Sequence, residues 1–253
     1  MNTSAHAIAI DPPPFPPAVP TGTRVYAIGD IHGRYDLLKM LHDQIAHDAA
    51  ARPTERHVLV YVGDYIDRGR QSFEVVETLI DAPLDGFEIT HLKGNHEDFL
   101  LKFVETGGSG DNWVFNGGMA TLASYGIEST GEFGTAGNLA EIRTSLIEIL
   151  PSSHLNFFQG LKLSHVEGDY MFVHAGVRPG IPYDQQDDED LIWIRGPFLH
   201  ANDDFGKFVI HGHTPDFEPV IRTNRICLDT FAYRSGCLTC IVLEGDERRF
   251  LQT

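Results

Sequence analysis

Short apolar runs alternate with longer segments of helical periodicity along the first part of the chain. The runs have the length of buried β-strands, whereas apolar residues in the longer segments recur every three or four positions, as on one face of a helix. The pattern predicts strands at 24–28, 57–62 and 87–92, each followed by a helix, at 35–50, 73–80 and 97–104. Strands and helices that take turns in this way are typical of an α/β fold.

The pattern changes in the second part of the chain. Residues 111–150 predict a helical insertion with loops, punctuated by glycines. Six apolar runs then predict a β-rich half, with strands at 161–165, 170–173, 191–194, 208–210, 225–228 and 238–243. Because there is no internal repeat and no clear linker, we expect residues 23–253 to form a single domain with two sheets face to face and helices outside.

Residues 1–22 differ from the rest. Six prolines fall between Pro12 and Pro20, and proline can neither ladder into a sheet nor continue a helix. We expect a flexible or extended tail, with a proline-rich docking peptide as the alternative. The N-terminus lacks a basic region followed by a long apolar run, so neither a signal peptide nor a membrane span is expected and the cytoplasm is the expected location.

Composition narrows the class of partner. The 253 residues carry a net charge of -17, which disfavours nucleic acid and an anionic membrane surface as partners, since both require Lys and Arg. A phosphate substrate remains possible if metal ions and a few arginines supply local positive charge. The three cysteines do not form a disulfide framework, and the C-x-x-C at Cys237 and Cys240 is interpreted as part of a strand rather than as a redox or zinc site.

Candidate chemistry is concentrated where predicted strands end. Five short motifs combine glycine with Asp, Asn or His, namely Gly29-Asp-Ile-His-Gly33, Gly63-Asp-Tyr-Ile-Asp-Arg-Gly69, Gly94-Asn-His-Glu97, His174-Ala-Gly176 and His211-Gly-His-Thr214. A single Gly-Asp is most often a turn. All five motifs occur together at strand ends, which favours a functional site over a set of plain turns. The reason is that α/β proteins carry their chemistry on loops at the carboxyl ends of strands.

These motifs supply a set of metal ligands without thiolate. The candidate ligands are Asp30, His32, Asp64, Asn95, His174 and His213. Imidazole together with carboxylate and amide oxygen suits Mn²⁺, Fe or Zn²⁺ in a catalytic site rather than a structural zinc site. Two ions about 3.5–4 Å apart, as in two-metal hydrolases, could share the carboxylate of Asp64. His211 is left open between a supporting role at this site and a plain position at a strand end.

The motif series resembles the PPP family of serine/threonine protein phosphatases, within the calcineurin-like metallophosphoesterases. The likeness runs from about Val25 to Leu243 and is greatest to the bacterial and phage branch. It implies a two-sheet β-sandwich flanked by helices. It also implies that Asp30, His32 and Asp64 hold one metal ion and that Asp64, Asn95, His174 and His213 hold the second. Manganese is the expected metal, with iron or zinc as alternatives.

The resemblance implies roles for four further residues. His96 would be the general acid that protonates the leaving oxygen, with Asp67 as its partner. Arg68 and Arg195 would grip the phosphate. The implied reaction is hydrolysis of a phosphomonoester by direct attack of a metal-bridging hydroxide, and a proton donor helps because a seryl or threonyl alkoxide is a poor leaving group.

The substrate has two candidates. Symmetrical diadenosine tetraphosphate hydrolases are also similar to this sequence, but they typically have Ala at the position of Asp67 and Asp at the position of Glu97. Both positions therefore favour a phosphorylated protein or peptide as substrate, with the dinucleotide as the alternative. Many relatives carry Asp-Thr-Gly where this chain has Asp229-Thr230-Phe231, and Phe231 is expected to reshape the pocket rim. A metal-free binding module and a nuclease are the less favoured alternatives.

Overall fold

The computed structural model describes residues 16–81, 84–127 and 136–253. Within them, the strands are β1 Thr23–Ile28, β2 Arg56–Tyr61, β3 Phe87–His91, β4 Ser164–Glu167, β5 Tyr170–Val173, β6 Phe208–His211, β7 Val220–Ile221, β8 Arg225–Cys227, β9 Thr239–Glu244 and β10 Glu247–Gln252. The helices are α1 Tyr35–Ala51, α2 Ser72–Ile80, α3 Asn95–Thr106, α4 Gly110–Trp113, α5 Met119–Ser124, α6 Ala136–Ile149, α7 Ser152–Gln159, α8 Asp188–Trp193, α9 Gly196–Leu199 and α10 Ala232–Ser235.

The strands form two five-stranded sheets. The first has the order β10-β9-β1-β2-β3, and the second has the order β4-β5-β6-β8-β7. In the first sheet β1, β2 and β3 are parallel, whereas β9 and β10 run antiparallel to their neighbours. In the second sheet β5, β6 and β8 are parallel to one another. The strands that precede the five motifs therefore belong to the parallel part of each sheet.

Each strand contributes side chains to two layers, one between the sheets and one under the helices, because successive residues of a strand point to opposite faces. In β1, Val25 and Ala27 pack between the two sheets, whereas Tyr26 and Ile28 pack toward the helices. The other central strands contribute to the layer between the sheets in the same way, through Val58, Val60, Tyr170, Phe172, Phe208, Ile210, Ile241 and Leu243. The sandwich core is thus apolar and shared by both sheets.

Helices cover both outer faces. Buried residues of α1, α2, α3, α5, α6 and α7 belong to one cluster with the outer face of the first sheet. On the second sheet, Met171, Val173 and Val209 pack against Leu191 of α8 and Phe198 of α9. The α/β class and the two-sheet sandwich predicted from the sequence are confirmed.

The predicted strand at 191–194 is wrong, because most of this segment is the end of helix α8. The side chain of Asp187 accepts a hydrogen bond from the backbone N–H of Glu189 and caps the helix. Acidic residues fill the first turn, where they interact favourably with the helix dipole. A short apolar run does not distinguish a buried helical turn from a strand, and the cap and the packing onto the second sheet decide it.

Strand β10 is an addition that the apolar pattern did not predict. It follows β9 through Gly245 and Asp246, and Glu247 pairs with Glu244 at the hairpin end. Its residues are partly exposed, and it contains Arg248 and Arg249. A charged edge strand has no continuous apolar run, so its position depends on backbone pairing with β9.

Residues 1–15 of the predicted tail lie outside the described part of the chain. The rest of it contacts the domain: the backbone N–H of Ala18 donates to the carboxylate of Asp169 at 3.1 Å, and that of Val19 donates to the carbonyl of Gly245 at 3.0 Å. Val19 is buried. Among the described residues, no helix is long and apolar enough to cross a membrane.

Candidate active site

Loops from both sheets converge at one edge of the sandwich. They leave β1, β2 and β3 in the first sheet and β5 and β6 in the second. Together with the start of α3 and the turn between α8 and α9, they carry the ten residues singled out in the sequence: Asp30, His32, Asp64, Asp67, Arg68, Asn95, His96, His174, Arg195 and His213. The structure brings all ten together, each within hydrogen-bond or ion-pair reach of another member.

The backbone of these loops is held in an uncommon conformation. Among the described residues, seven non-glycine residues have a positive φ, and five of them are His32, Asp64, Asp67, Arg68 and His213. A left-handed conformation costs an L-residue roughly 1–2 kcal/mol. Such strain persists only where the surrounding structure imposes it, and it is concentrated at functional sites. The strained loops turn these side chains toward one point.

Two glycines allow the loops to approach one another closely. A Cβ on Gly94 would lie 2.1 Å from Oδ1 of Asp64, and a Cβ on Gly212 would lie 1.9 Å from Oδ1 of Asp30. Any other residue at either position would therefore displace a carboxylate of the site.

Asp64 lies at the centre of the site. Its carboxylate is 3.6 Å from Nε2 of His32, 3.4 Å from Nε2 of His174 and 3.8 Å from Nε2 of His96. Donor atoms form two groups that could each hold a metal ion, His32–Asp64–His96 and Asp64–His174–His213. Asp64 belongs to both groups, as a carboxylate shared by two ions would.

Backbone carbonyls orient two of the imidazoles. Nδ1 of His32 donates to the carbonyl of Ile66 at 2.9 Å, and Nδ1 of His174 donates to the carbonyl of Val62 at 2.9 Å. A carbonyl can only accept, so in each ring Nε2 keeps its lone pair and points into the site. Burial lowers the pKa of His32 to about 3, which keeps the ring neutral, as a metal ligand must be.

Carboxylates accumulate at the same place. Burial raises the pKa of Asp30 well above its usual value, and the charges of Asp229 and Asp64 raise it further. Burial also raises the pKa of Asp229 to about 6. Three nearby buried carboxylates need positive charge to remain ionised together. This charge balance fits divalent cations.

Unpartnered polar atoms point to the same conclusion. Oδ1 of Asp30 and Nε2 of His213 are buried and have no hydrogen-bond partner among the described residues. Nε2 of His174 lies 3.0 Å from Oδ1 of Asn95, although both atoms are lone-pair acceptors in the neutral tautomer described above. Acceptors at this separation suit a shared cation. The donor set and its burial therefore fit a metal centre.

His96 and Asp67 form a hydrogen-bonded pair beside this cluster. Nδ1 of His96 donates to Oδ2 of Asp67 at 2.6 Å, which leaves Nε2 facing Asp64. Burial by itself lowers the pKa of His96, but the charges of Asp64 and Asp67 outweigh burial, so the pKa is raised. The ring is therefore held in a form that can donate a proton from Nε2.

Two neutral donors fix Asp67, and the sequence did not indicate either. Nε1 of Trp113 contacts both carboxylate oxygens, at 3.1 and 2.9 Å, and the hydroxyl of Thr121 donates at 2.6 Å. Both residues belong to the helical insertion, far from the loop of Asp67 in sequence. A buried Trp or Thr most often serves packing. Neither residue therefore indicates a hydrogen bond to Asp67 until the structure shows the two side chains together.

Two arginines border the opening. Nη2 of Arg68 lies 3.4 Å from Nε2 of His96, and Nη1 donates to the hydroxyl of Tyr233. Nη2 of Arg195 donates to the backbone carbonyl of His213 at 2.9 Å. Among the described residues neither arginine has a carboxylate partner within ion-pair distance, so both positive charges are available to an anion.

Glu97 has a structural position rather than one at the opening. It is fully buried, and its carboxylate accepts the backbone N–H groups of Asp64, Tyr65 and Gly94 at 2.8–2.9 Å. The side chain thereby ties the loop after β2 to the start of α3. The sequence pattern used Glu97 to distinguish between substrates. In the structure its carboxylate contacts backbone amides, and this does not support direct contact with a substrate.

Phe231 and His211 also have clear positions. Phe231 has a φ of 61°, which explains why glycine suits this position, and its ring packs against Tyr233 and Phe217. His211 ends β6 on its outer face, where its ring lies 5.0 Å from that of Phe198. Its Nδ1 is hydrogen-bonded locally, to the carbonyl of Gly212. It is thus a strand-end residue beside the site.

Comparison with known proteins identifies the class. A family model described as calcineurin-like phosphoesterase matches residues 23–241. The chain belongs to this family and is a phosphoesterase of the metal-binding type, as the motif series predicted.

Individual relatives differ in their named activities. Serine/threonine-protein phosphatase 2 of Escherichia coli (strain K12) is 37% identical over 94 residues, which cover 37% of this chain and 38% of that enzyme. The asymmetrical bis(5'-nucleosyl)-tetraphosphatase PrpE of Anoxybacillus flavithermus (strain DSM 21510 / WK1) is 26% identical over 235 residues, 85% of this chain and 88% of that enzyme. A crystal structure described provisionally as a diadenosine tetraphosphatase has the same fold, with 21% identity and a TM-score of 0.59 over 94% of this chain and 98% of that chain.

The position of Glu97 leads to a testable expectation. Glu97→Asp shortens the side chain so that it can no longer reach all three amides, and unsatisfied buried N–H groups cost about 1–3 kcal/mol. We expect a lower free energy of unfolding in a urea titration and a proportional fall in hydrolysis of every phosphoester. Glu105→Asp on the exposed end of α3 is the matched control. If the ratio of phosphopeptide to dinucleotide hydrolysis changed in Glu97→Asp, the result would contradict a purely structural role and would support the prediction that Glu97 distinguishes between substrates.

Proposed function

We propose that the protein is a metal-dependent phosphomonoester hydrolase that acts on phosphoserine and phosphothreonine in proteins or peptides. The observation that carries this proposal is the His96–Asp67 pair, which holds a proton donor beside a buried cluster of metal-ligand atoms. The domain from 23 to 253, after a tail at 1–22, would be the catalytic unit, with the cytoplasm as its location. The net charge of -17 argues against nucleic acid or membrane partners.

The six predicted ligands would hold two divalent cations, most simply Mn²⁺, with Fe or Zn²⁺ as alternatives. Asp64 would be shared, with Asp30 and His32 on one side of it and Asn95, His174 and His213 on the other. Bound cations would supply a water activated near neutral pH and positive charge for the phosphate oxygens. The neutral state of the buried imidazoles and the two unpartnered atoms support this assignment.

Arg68 and Arg195 would bind the phosphate. They lie on opposite sides of the metal-ligand cluster, one beside His96 and the other beside His213. A guanidinium can bind two phosphate oxygens at once and stabilise the charge that grows on them during in-line displacement. Neither guanidinium has a carboxylate partner among the described residues, which supports a role in binding a substrate anion.

The nature of the leaving group favours a phosphomonoester of an alcohol. A serine or threonine alkoxide leaves slowly unless it is protonated, whereas a nucleotide phosphate leaves readily as an anion. Only the first reaction needs a positioned acid at His96 with a carboxylate behind it. The polar contacts made by the side chain and the backbone N–H of Asp67 keep this pair in one geometry.

Hydrolysis of a dinucleoside tetraphosphate is the second candidate. It is favoured by the relative that matches over 85% of this chain, which is named an asymmetrical bis(5'-nucleosyl)-tetraphosphatase, whereas the sequence pattern pointed to the symmetrical type as the alternative. An asymmetrical enzyme would release ATP and AMP from diadenosine tetraphosphate, and a symmetrical one would release two ADP.

The decisive experiment compares the two substrates directly. The Mn²⁺-loaded protein is given a set of phosphoserine and phosphothreonine peptides and diadenosine tetraphosphate, and kcat/KM is measured for each, with the nucleotide products identified. We expect the phosphopeptides to be hydrolysed with the higher kcat/KM. A higher value for the dinucleotide would reject the first proposal and its products would identify the type of tetraphosphatase.

Replacement of His96 tests the proton donor. His96→Asn should lower kcat for a phosphoserine peptide roughly 10²- to 10⁴-fold, while p-nitrophenyl phosphate, whose leaving group needs no proton, loses much less. Metal content should stay at the wild-type level. His47→Asn on the exposed face of α1 is the matched control. Equal losses on both substrates would argue against the acid role.

Replacement of Asp64 tests the shared metal ligand. Asp64→Asn removes a charge that both ions would share, so we expect the bound metal per chain, measured by elemental analysis after dialysis, to fall for both ions together. Exposed Asp43→Asn should bind metal normally. Chelation of the wild type should abolish hydrolysis, and Mn²⁺ should restore it. Full metal occupancy in Asp64→Asn would contradict the shared position.

A further inference from the structure

Tyr233 lies at the rim of the site and contacts two of its members. It belongs to the short helix α10, between the last strand of the second sheet and β9. The ring of Tyr233 packs edge-on against His32 with 5.3 Å between the ring centroids. Its hydroxyl accepts a hydrogen bond from Nη1 of Arg68 at 2.5 Å, and the guanidinium carbon of Arg68 lies 4.9 Å from the ring centroid. No motif indicated this residue.

The contact with Tyr233 is the shortest polar contact of the Arg68 guanidinium among the described residues. Its one other acceptor, the carbonyl of Asn116, is 3.4 Å away, at the limit for a hydrogen bond. Nε2 of His96 also lies at 3.4 Å, but in the charged ring it is itself a donor and cannot accept from Arg68. Without the hydroxyl, the long side chain of Arg68 would have several rotamers open to it, and ordering it would cost binding free energy.

The chemistry of the anchor also matters. A carboxylate partner would fix Arg68 but would neutralise the charge that a phosphate needs. A phenol hydroxyl is neutral, so it orients the guanidinium and leaves its full positive charge for the anion.

Helix α10 is itself held firmly. Nη1 of Arg34 donates to the carbonyl of Ala232 at 2.8 Å, and the hydroxyl of Ser235 donates to the carbonyl of Thr230 at 2.7 Å. The ring of Phe231 packs edge-on against Tyr233 at 4.9 Å. The phenol is therefore presented from a rigid support, which is what a positioning residue requires.

We propose that Tyr233 is a positioning residue for phosphate binding, which holds the guanidinium of Arg68 in the orientation that grips the phosphate. The inference rests on the phosphate role proposed for Arg68 and is independent of which phosphoester is the natural substrate. Inorganic phosphate can therefore serve as the probe.

The first test is Tyr233→Phe, which keeps the ring and removes the hydroxyl. Inhibition of p-nitrophenyl phosphate hydrolysis by inorganic phosphate is measured with the Mn²⁺-loaded protein. We expect the inhibition constant and KM to rise roughly tenfold, as is usual for the loss of a hydrogen bond to a charged group, with a smaller change in kcat. Metal content and melting temperature should match the wild type, and a loss of metal would overturn the proposal in favour of a structural effect through His32.

A double-mutant cycle with Arg68→Ala separates the possible causes. If Tyr233 acts through Arg68, Tyr233→Phe should change the phosphate inhibition constant less than twofold when Arg68 is already absent. A full tenfold effect in that background would overturn the proposal. If Arg68→Ala weakens phosphate binding but Tyr233→Phe does not, the inference alone falls. If Arg68→Ala has no effect, the phosphate role of Arg68 falls with it.

Tyr183→Phe is the matched control. Tyr183 is partly buried, its ring lies under Lys207, and its hydroxyl has no hydrogen bond within the described part of the chain. The same chemical change there should leave the phosphate inhibition constant at the wild-type value. A tenfold rise in this variant as well would show that the change at Tyr233 is not specific and would overturn the proposal.

Discussion

The carboxylate of Asp64 is buried where the two sheets meet, and imidazoles approach it from both of them. Burial by itself would raise its pKa. His32, His174 and His213 are neutral, so His96 is the one neighbouring ring that brings positive charge, and bound divalent cations would supply the rest. A buried negative charge is tolerated only with positive charge or hydrogen-bond donors close by. The position of the site therefore depends on keeping this one carboxylate ionised between the sheets.

The surrounding backbone is arranged around that requirement. The loops after β1, β2 and β6 adopt left-handed conformations at His32, Asp64 and His213, and Gly94 and Gly212 leave room for carboxylates of neighbouring loops. These features cost conformational free energy. The apolar core between the sheets and the hydrogen bonds from backbone N–H groups to buried Glu97 hold the loops in place against that cost.

The same physical arrangement recurs at two charged residues of the site, Asp67 and Arg68. Trp113 and Thr121, both neutral donors, fix Asp67, and the neutral phenol of Tyr233 holds Arg68. A neutral partner supplies orientation without cancelling charge. Asp67 therefore acts electrostatically on His96, and Arg68 remains attractive to an anion. The metal-ligand cluster lies on loops at the ends of strands, whereas these neutral supports come from the helical insertion and from α10.

The sequence by itself determined the alternation of strands and helices, the two-sheet α/β class and the family, because apolar periodicity and short Gly-Asp, Gly-Asn and Gly-His motifs are local features. It also singled out the ten residues that converge at the site. Tertiary structure decided the features that depend on contacts between distant segments. These include the helix at Asp188–Trp193 in place of a strand, the buried amide-binding role of Glu97, and the partnership of Tyr233 with Arg68, 165 residues apart. No local pattern encodes a hydrogen bond of that range, since it forms only when both sheets have packed.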